Sequence, residues 1–165
     1  MRIVVLSDTH LGDRRQGPLP APVERSLAEA DLILHGGDLT TAGLLDELGG
    51  YAPVAGVLGN MDGPDVAARL PVECVVEADG VRIGMVHIPG PDDGRRERLR
   101  DRFPDCRVVV FGHTHIPVCE DRKGLLLLNP GSPTERRRGP FHSFAELEVA
   151  DGTVAAARII PLDAG

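Results

Sequence analysis

Apolar runs that break abruptly into polar clusters recur along the chain. The first, Arg2-Ile3-Val4-Val5-Leu6, is β-branched and predicts a buried strand; it breaks into Ser7-Asp8-Thr9-His10. In an extended segment residues i and i+2 point the same way. Asp8 and His10 are therefore expected to project together from the strand's C-terminal end, where open α/β sheets place their sites. A Gly/Pro/Arg-rich loop over residues 12–22 leads to a short helix over 23–30, with Val23, Leu27 and Ala30 on one face. Residues 31–35 predict a second strand, ending in Gly36-Gly37-Asp38. Thr40 or Thr41 is placed to cap a helix that runs through Leu48 and stops at Gly49-Gly50. A third strand, 54–58, ends in Gly59-Asn60-Met61-Asp62, and a turn or two of helix follows over 65–70.

The pattern changes at Pro71. Residues 72–78 and 81–87 predict strands around Asp79-Gly80, a type I′ hairpin signal. A charged helix over 92–103 precedes another apolar strand, 107–111, which ends in Gly112-His113-Thr114-His115. Hairpins follow around Lys123-Gly124 (118–122 with 125–129) and Asp151-Gly152 (143–150 with 153–161), separated by Asn129-Pro130-Gly131-Ser132 and a polar loop. Strand and helix alternate in the first half, while hairpins dominate the second. The expected fold class is α/β: two stacked mixed sheets with helices outside, a four-layer α/β/β/α sandwich. The length of 165 residues suits a single domain over 1–165.

Composition narrows the partners. A net charge of −7 argues against extended nucleic-acid binding, and the absence of Trp argues against base-stacking platforms. No apolar run approaches the ~20 residues of a membrane span, and the N-terminus does not read as a signal peptide. Cys74, Cys106 and Cys119 match no zinc spacing and read as free thiols of a reducing cytoplasm. A cytoplasmic protein is expected, with a homo-oligomer left open. Lys123 is the only lysine, and the arginine-rich runs 95–100 and 136–138 read as solvated surface.

Five strands end in residues able to bind metal: Asp8 and His10, Asp38, Asn60, His87, and His113 with His115. Singly each has an ordinary reading. Asp38 could cap a helix, Asn60 could shape a turn, and His87 could be a packed histidine. Together, imidazoles mixed with oxygen donors suit Mn, Fe, Zn or Ni better than Ca or Mg. Seven ligands exceed one ion's shell unless some are spectators, and suit two ions that share a carboxylate. His35 precedes Asp38 inside the sheet and reads as packed or supporting; His142 follows a polar loop and reads as surface.

Asp8-x-His10, Gly37-Asp38, Gly59-Asn60-x-Asp62, His87, Gly112-His113-Thr114-His115 and Asn129-Pro130-Gly131-Ser132, in that order, resemble the calcineurin-like metallophosphoesterase superfamily. Within it the chain is most similar to the small YfcE-like phosphodiesterases. The resemblance implies two divalent transition-metal ions, manganese first, with Ni, Fe or Zn as the other candidates. Asp8, His10 and His115 would hold one ion, Asn60, His87 and His113 the other, and Asp38 would bridge them. It implies a phosphodiesterase that hydrolyses a small-molecule phosphodiester by a metal-bridging hydroxide, with Asp38, Asn60 and His87 catalytic. Asn60 and Arg137 would bind substrate, Arg137 because its loop follows the Asn129–Ser132 motif.

The chain departs from the family at two places. Met61 stands where many family phosphatases carry a leaving-group histidine, and Ile88-Pro89 follows His87 where a second histidine is common. Both departures point away from efficient phosphomonoester hydrolysis. The alternative is a non-catalytic metal-binding scaffold for protein–protein interaction, like the retromer subunit of this fold. A scaffold has no need of all seven ligands. A dinucleotide-binding reading fails because no G-x-G-x-x-G follows the first strand.

Overall fold

The computed structural model describes residues 1–11 and 17–162. The first part of the expected 12–22 loop lies outside the described residues. In chain order the elements are β1 (Arg2–Leu6), α1 (Ala21–Leu27), β2 (Leu32–His35), α2 (Ala42–Gly49), β3 (Val54–Gly56), α3 (Pro64–Ala67), β4 (Glu73–Ala78), β5 (Val81–Val86), α4 (Arg95–Arg102), β6 (Val108–Val110), β7 (Val118–Arg122), β8 (Leu125–Asn129), β9 (Ser143–Ala150) and β10 (Thr153–Pro161).

Two five-stranded sheets result, in the orders β10-β9-β1-β2-β3 and β4-β5-β6-β8-β7. Each is mixed. In the first, β1, β2 and β3 run parallel and β9 runs antiparallel to β1. In the second, β5, β6 and β8 run parallel, with β4 and β7 antiparallel at the edges. The period-two alternation of strand side chains divides β1 between two cores. Ile3 and Val5 enter the layer between the sheets with Leu34, Val108, Val110, Leu126, Leu128 and Leu147. Val4 and Leu6 face the outer layer, where Val23 and Leu27 of α1 and Leu44, Leu45 and Leu48 of α2 pack. On the far side, Val109, Phe111 and Leu127 pack against Leu99 of α4 and Phe103, which follows it. These are the four expected layers.

All three hairpins turn through two consecutive left-handed residues, Asp79-Gly80, Lys123-Gly124 and Asp151-Gly152, the geometry of type I′. The last hairpin returns across the molecule to pair with β1, aligning Ile3 with Leu147. Several boundaries differ from expectation. The third strand stops at Gly56, because beyond it the backbone leaves the sheet and Leu58 donates to the Pro71 carbonyl at 2.7 Å. α1 begins at Ala21, with Pro22 in the first turn where its missing N–H costs nothing. The expected threonine cap of α2 is not made. Thr41 holds the cap position but its hydroxyl turns to the Leu11 carbonyl, and Asp65 from the next helix accepts the Ala42 N–H at 2.7 Å.

Candidate metal centre

The C-terminal ends of β1, β2, β3, β5 and β6 meet at one end of the sandwich. Register puts Leu6 beside His35, so the loops after β1 and β2 leave together. The expectation that Asp8 and His10 share a face of an extended segment is wrong in its cause. Both are left-handed, with φ of 54° and 47°. What brings them together is backbone pairing between loops: the Asp8 N–H donates to the Gly37 carbonyl at 2.9 Å and the His10 N–H to that of Asp38 at 3.0 Å. Asp38, His113 and His115 are left-handed too. Such backbone is costly outside glycine and collects at functional sites.

Asp8 is fully buried. Its carboxylate accepts from the Ser7 hydroxyl at 2.6 Å and from the His113 N–H at 3.0 Å, and it lies 3.2 Å from His115 Nε2. Burial pushes the Asp8 carboxyl up, but His115, the charge of His87 and Ser7 together outweigh it and hold it below its ordinary value. His10 and His115 stack with ring centroids 5.2 Å apart. Burial holds His10 below the ordinary imidazole value, against the opposing pull of Asp38 and Glu135.

Asp38 divides its two oxygens. Oδ1 accepts the Met61 N–H at 2.7 Å. Oδ2 faces His10 Nε2 at 3.7 Å on one side and His87 Nε2 at 3.4 Å on the other. Burial alone would raise this carboxyl as well; the contacts with His87 and Met61 bring it below the usual range. Beyond His87, Asn60 Oδ1 lies 3.2 Å from His87 Nε2 and 2.9 Å from His113 Nδ1. All seven expected ligands are thus gathered in one linked cluster.

The lone pairs in this cluster call for a cation. His87 Nδ1 donates to the Gly36 carbonyl and His115 Nδ1 to the Glu135 carbonyl. Burial would lower both rings, but Asp38 beside His87 and Asp8 beside His115 outweigh it and hold both imidazoles above their ordinary value. A cation that displaced the Nε2 proton would find each lone pair facing carboxylate oxygen. His10 Nε2 and His115 Nε2 are buried with no hydrogen-bond partner among the described residues. Two ligands of one ion, each about 2.0–2.2 Å from it, lie about 3 Å apart, close to the 3.2–3.7 Å separations seen here. The residues fit divalent metal. Two groups have ligand atoms mutually within 4.8 Å, Asp8 with His10 and His115, and Asp8 with Asp38 and His87. Among the described residues Asp8 belongs to both groups, and the expected bridge Asp38 to the second.

Supporting residues explain the precision of the cluster. Asp62 accepts backbone N–H groups from Asp38, Thr40 and Gly59, tying the loop after β2 to that after β3. Ser132 donates to the Asp8 carbonyl at 2.7 Å, and Asn129 donates to Gly112 and Thr114. Gly59 and Gly112 are required by close approach, since a Cβ would collide with the Asp38 carboxylate at one and with Ser7 and Asp8 at the other. His35 accepts the Gly37 N–H on Nδ1, so its Nε2–H points to the Thr9 hydroxyl at 3.2 Å. Complete burial pushes it down to about 3, and it is a neutral supporting residue.

One contribution escapes the sequence reading: Glu135 reaches to 3.5 Å from His10 Nε2, and nothing local marks it. Asp62 was read as part of the Gly59-Asn60-x-Asp62 motif without a role, and the structure supplies one, the joining of two ligand loops. Arg137 lies at the rim, 3.4 Å from Glu135 and nearly half-exposed. His142 is half-buried beside the last hairpin, its carbonyl accepting the Leu162 N–H. The cysteines stay outside the cluster, and burial pushes all three thiols up. Among the described residues, no helix is long and apolar enough to cross a membrane.

Comparison with known proteins agrees with the geometry. The family model described as the calcineurin-like phosphoesterase superfamily domain matches residues 1–152. A probable metallophosphoesterase of Methanocaldococcus jannaschii is 39% identical over 99% of this chain and 82% of its own. A Thermotoga maritima protein solved by NMR superposes with a TM-score of 0.74 at 34% identity, covering 98% of this chain and 99% of the other. A Vps29 of Entamoeba histolytica complexed with Zn2+ shares the fold, with a TM-score of 0.77 at 24% identity over 98% of each chain.

Proposed function

The chain belongs to the calcineurin-like phosphoesterase superfamily, and from that premise we propose that it is a phosphodiesterase working with two divalent transition-metal ions. Asp8, His10 and His115 would hold one ion and Asn60, His87 and His113 the other, with Asp38 shared. The observation that carries this reading is the single oxygen Asp38 Oδ2, flanked by His10 Nε2 at 3.7 Å and His87 Nε2 at 3.4 Å. Divalent ions held there would supply positive charge to a phosphoryl group and lower the pKa of a bound water. Manganese heads the candidates, followed by Ni, Fe and Zn.

The chain's own residues orient and neutralise. Asn60 turns Oδ1 toward the His87 and His113 rings, leaving its amide NH2 to donate to a phosphoryl oxygen at the exposed mouth. Arg137, partnered with Glu135, can exchange that carboxylate for a substrate phosphoryl oxygen. The cluster has few carboxylates for two divalent ions, so its local charge is positive and admits an anionic ester. Met61, more than half exposed beside Asn60, has no proton to give a leaving group. That favours diesters with good leaving groups over phosphomonoesters. A non-catalytic scaffold needs no complete donor set, and completeness of the set favours the enzyme.

The test is hydrolysis of bis-p-nitrophenyl phosphate by chelator-treated protein before and after reloading with Mn2+. Activity restored by metal, and higher than on p-nitrophenyl phosphate, is expected. Metal-loaded protein inert toward every aryl and nucleotide phosphoester would contradict the proposal.

A further inference from the structure

Beside the metal centre the surface opens into a cleft of about 260 Å³, lined by Leu58, Val72 and Ile88 together with Asn60, His87 and Arg102. Val72 and Ile88 are 63% and 47% exposed, large apolar side chains left uncovered by the described residues. Arg102 is tethered to Glu73 and lies 6.0 Å from the Phe103 ring, with its side chain 41% exposed.

Resting on the phosphodiesterase reading, we infer that this cleft is the seat of one ester arm of the substrate, and that the arm is a flat aromatic group rather than a sugar or polyol. Position is the first reason. Asn60 and His87 belong both to the proposed metal shell and to the cleft wall, so a phosphoryl group at the centre has its substituent next to Leu58 and Ile88. Size is the second. Pockets that bury whole drug-sized ligands run to about 300–1,000 Å³, and this cleft falls below that range, matching one arm. Chemistry is the third. Among the described residues, Arg102 is the one polar side chain lining the cleft outside the metal shell, so a polyol would lose the water on most of its hydroxyls for a single new partner. A planar ring instead gains apolar contact with Val72 and Ile88 and a guanidinium plane on which to stack.

Two measurements test this. The first compares phenyl p-nitrophenyl phosphate with methyl p-nitrophenyl phosphate, which share a leaving group. The ratio of their kcat/KM values should fall about tenfold or more in the Val72→Ser/Ile88→Ser variant, mainly through a higher KM for the phenyl ester. The methyl ester serves as the internal control for damage to the centre. The second needs no turnover: phenylphosphonate added to Zn2+-loaded protein should shift the methyl NMR signals of Leu58, Val72 and Ile88, and methylphosphonate should not. An unchanged ester ratio with unmoved methyl signals overturns the inference while leaving the phosphodiesterase reading intact. Shifted methyl signals in a protein that hydrolyses neither ester would sink that reading and uphold the cleft. Neither hydrolysis nor a shift overturns both.

Discussion

A carboxylate oxygen with an imidazole nitrogen on each side, as Asp38 Oδ2 has, is placed to neutralise two cations at once. Asp38→Ala would leave two dications facing one another without that charge. Metal content, measured by elemental analysis of the folded variant, should fall at both positions together; two ions per chain retained would refute the bridge. On the proposed reading, Met61 sets the kind of ester. Lack of a general acid costs about 10²–10⁴-fold, a loss that is small for p-nitrophenolate and large for an alkoxide. The rate should therefore depend steeply on leaving-group pKa. Met61→His should flatten that dependence and raise monoester turnover, and equally fast hydrolysis of alkyl phosphates by the unmodified protein would count against the argument. At this scale the sequence was most readable, because an acid or imidazole placed where an apolar run ends is conspicuous. The left-handed backbone at Asp8, His10, Asp38, His113 and His115 was not readable, since none of these is glycine and the conformation is imposed by contacts between loops.

Elements turn these residues into a site by fixing loops to one another. Asp62 joins the loops after β2 and β3 through the N–H groups of Asp38, Thr40 and Gly59. Asp62→Ala should lower stability by about 1–3 kcal/mol and metal affinity by about 10–100-fold, read by thermal unfolding and by metal titration. On the opposite face of β9, nearly buried Glu146 bonds Ser26 of α1, Arg2 of β1 and Arg158 of β10. Burial would raise its carboxyl, yet these three partners hold it below its ordinary value of 4.5. The stabilisation is thus complete above pH 4.5 and is lost as pH falls through the lower folded-state value. Glu146→Gln should cost about 1–3 kcal/mol at neutral pH and make the acid side of the stability profile shallower; parallel profiles would contradict the assignment. Strand and hairpin signals in the sequence were local and legible, as Asp79-Gly80 shows. The pairing of β9 with β1 was not, because it joins residues far apart in sequence. Nor was the cap of α2 legible, since Asp65 supplies it from another helix.

For the whole molecule, the sandwich gives five strand ends a common edge, and apolar layers on both faces of each sheet hold those ends in place. The layer order followed from the shift between alternating strand–helix units and hairpins at Pro71. Which sheet received each hairpin depended on packing that no local signal carries. The central claim is that this edge is a two-metal centre for phosphodiester hydrolysis. Its most direct test is titration of metal-free protein with Mn2+ while following bis-p-nitrophenyl phosphate hydrolysis. The rate should rise until two ions are bound per chain and then level off. A plateau at one ion per chain, or no hydrolysis with two bound, would contradict the account.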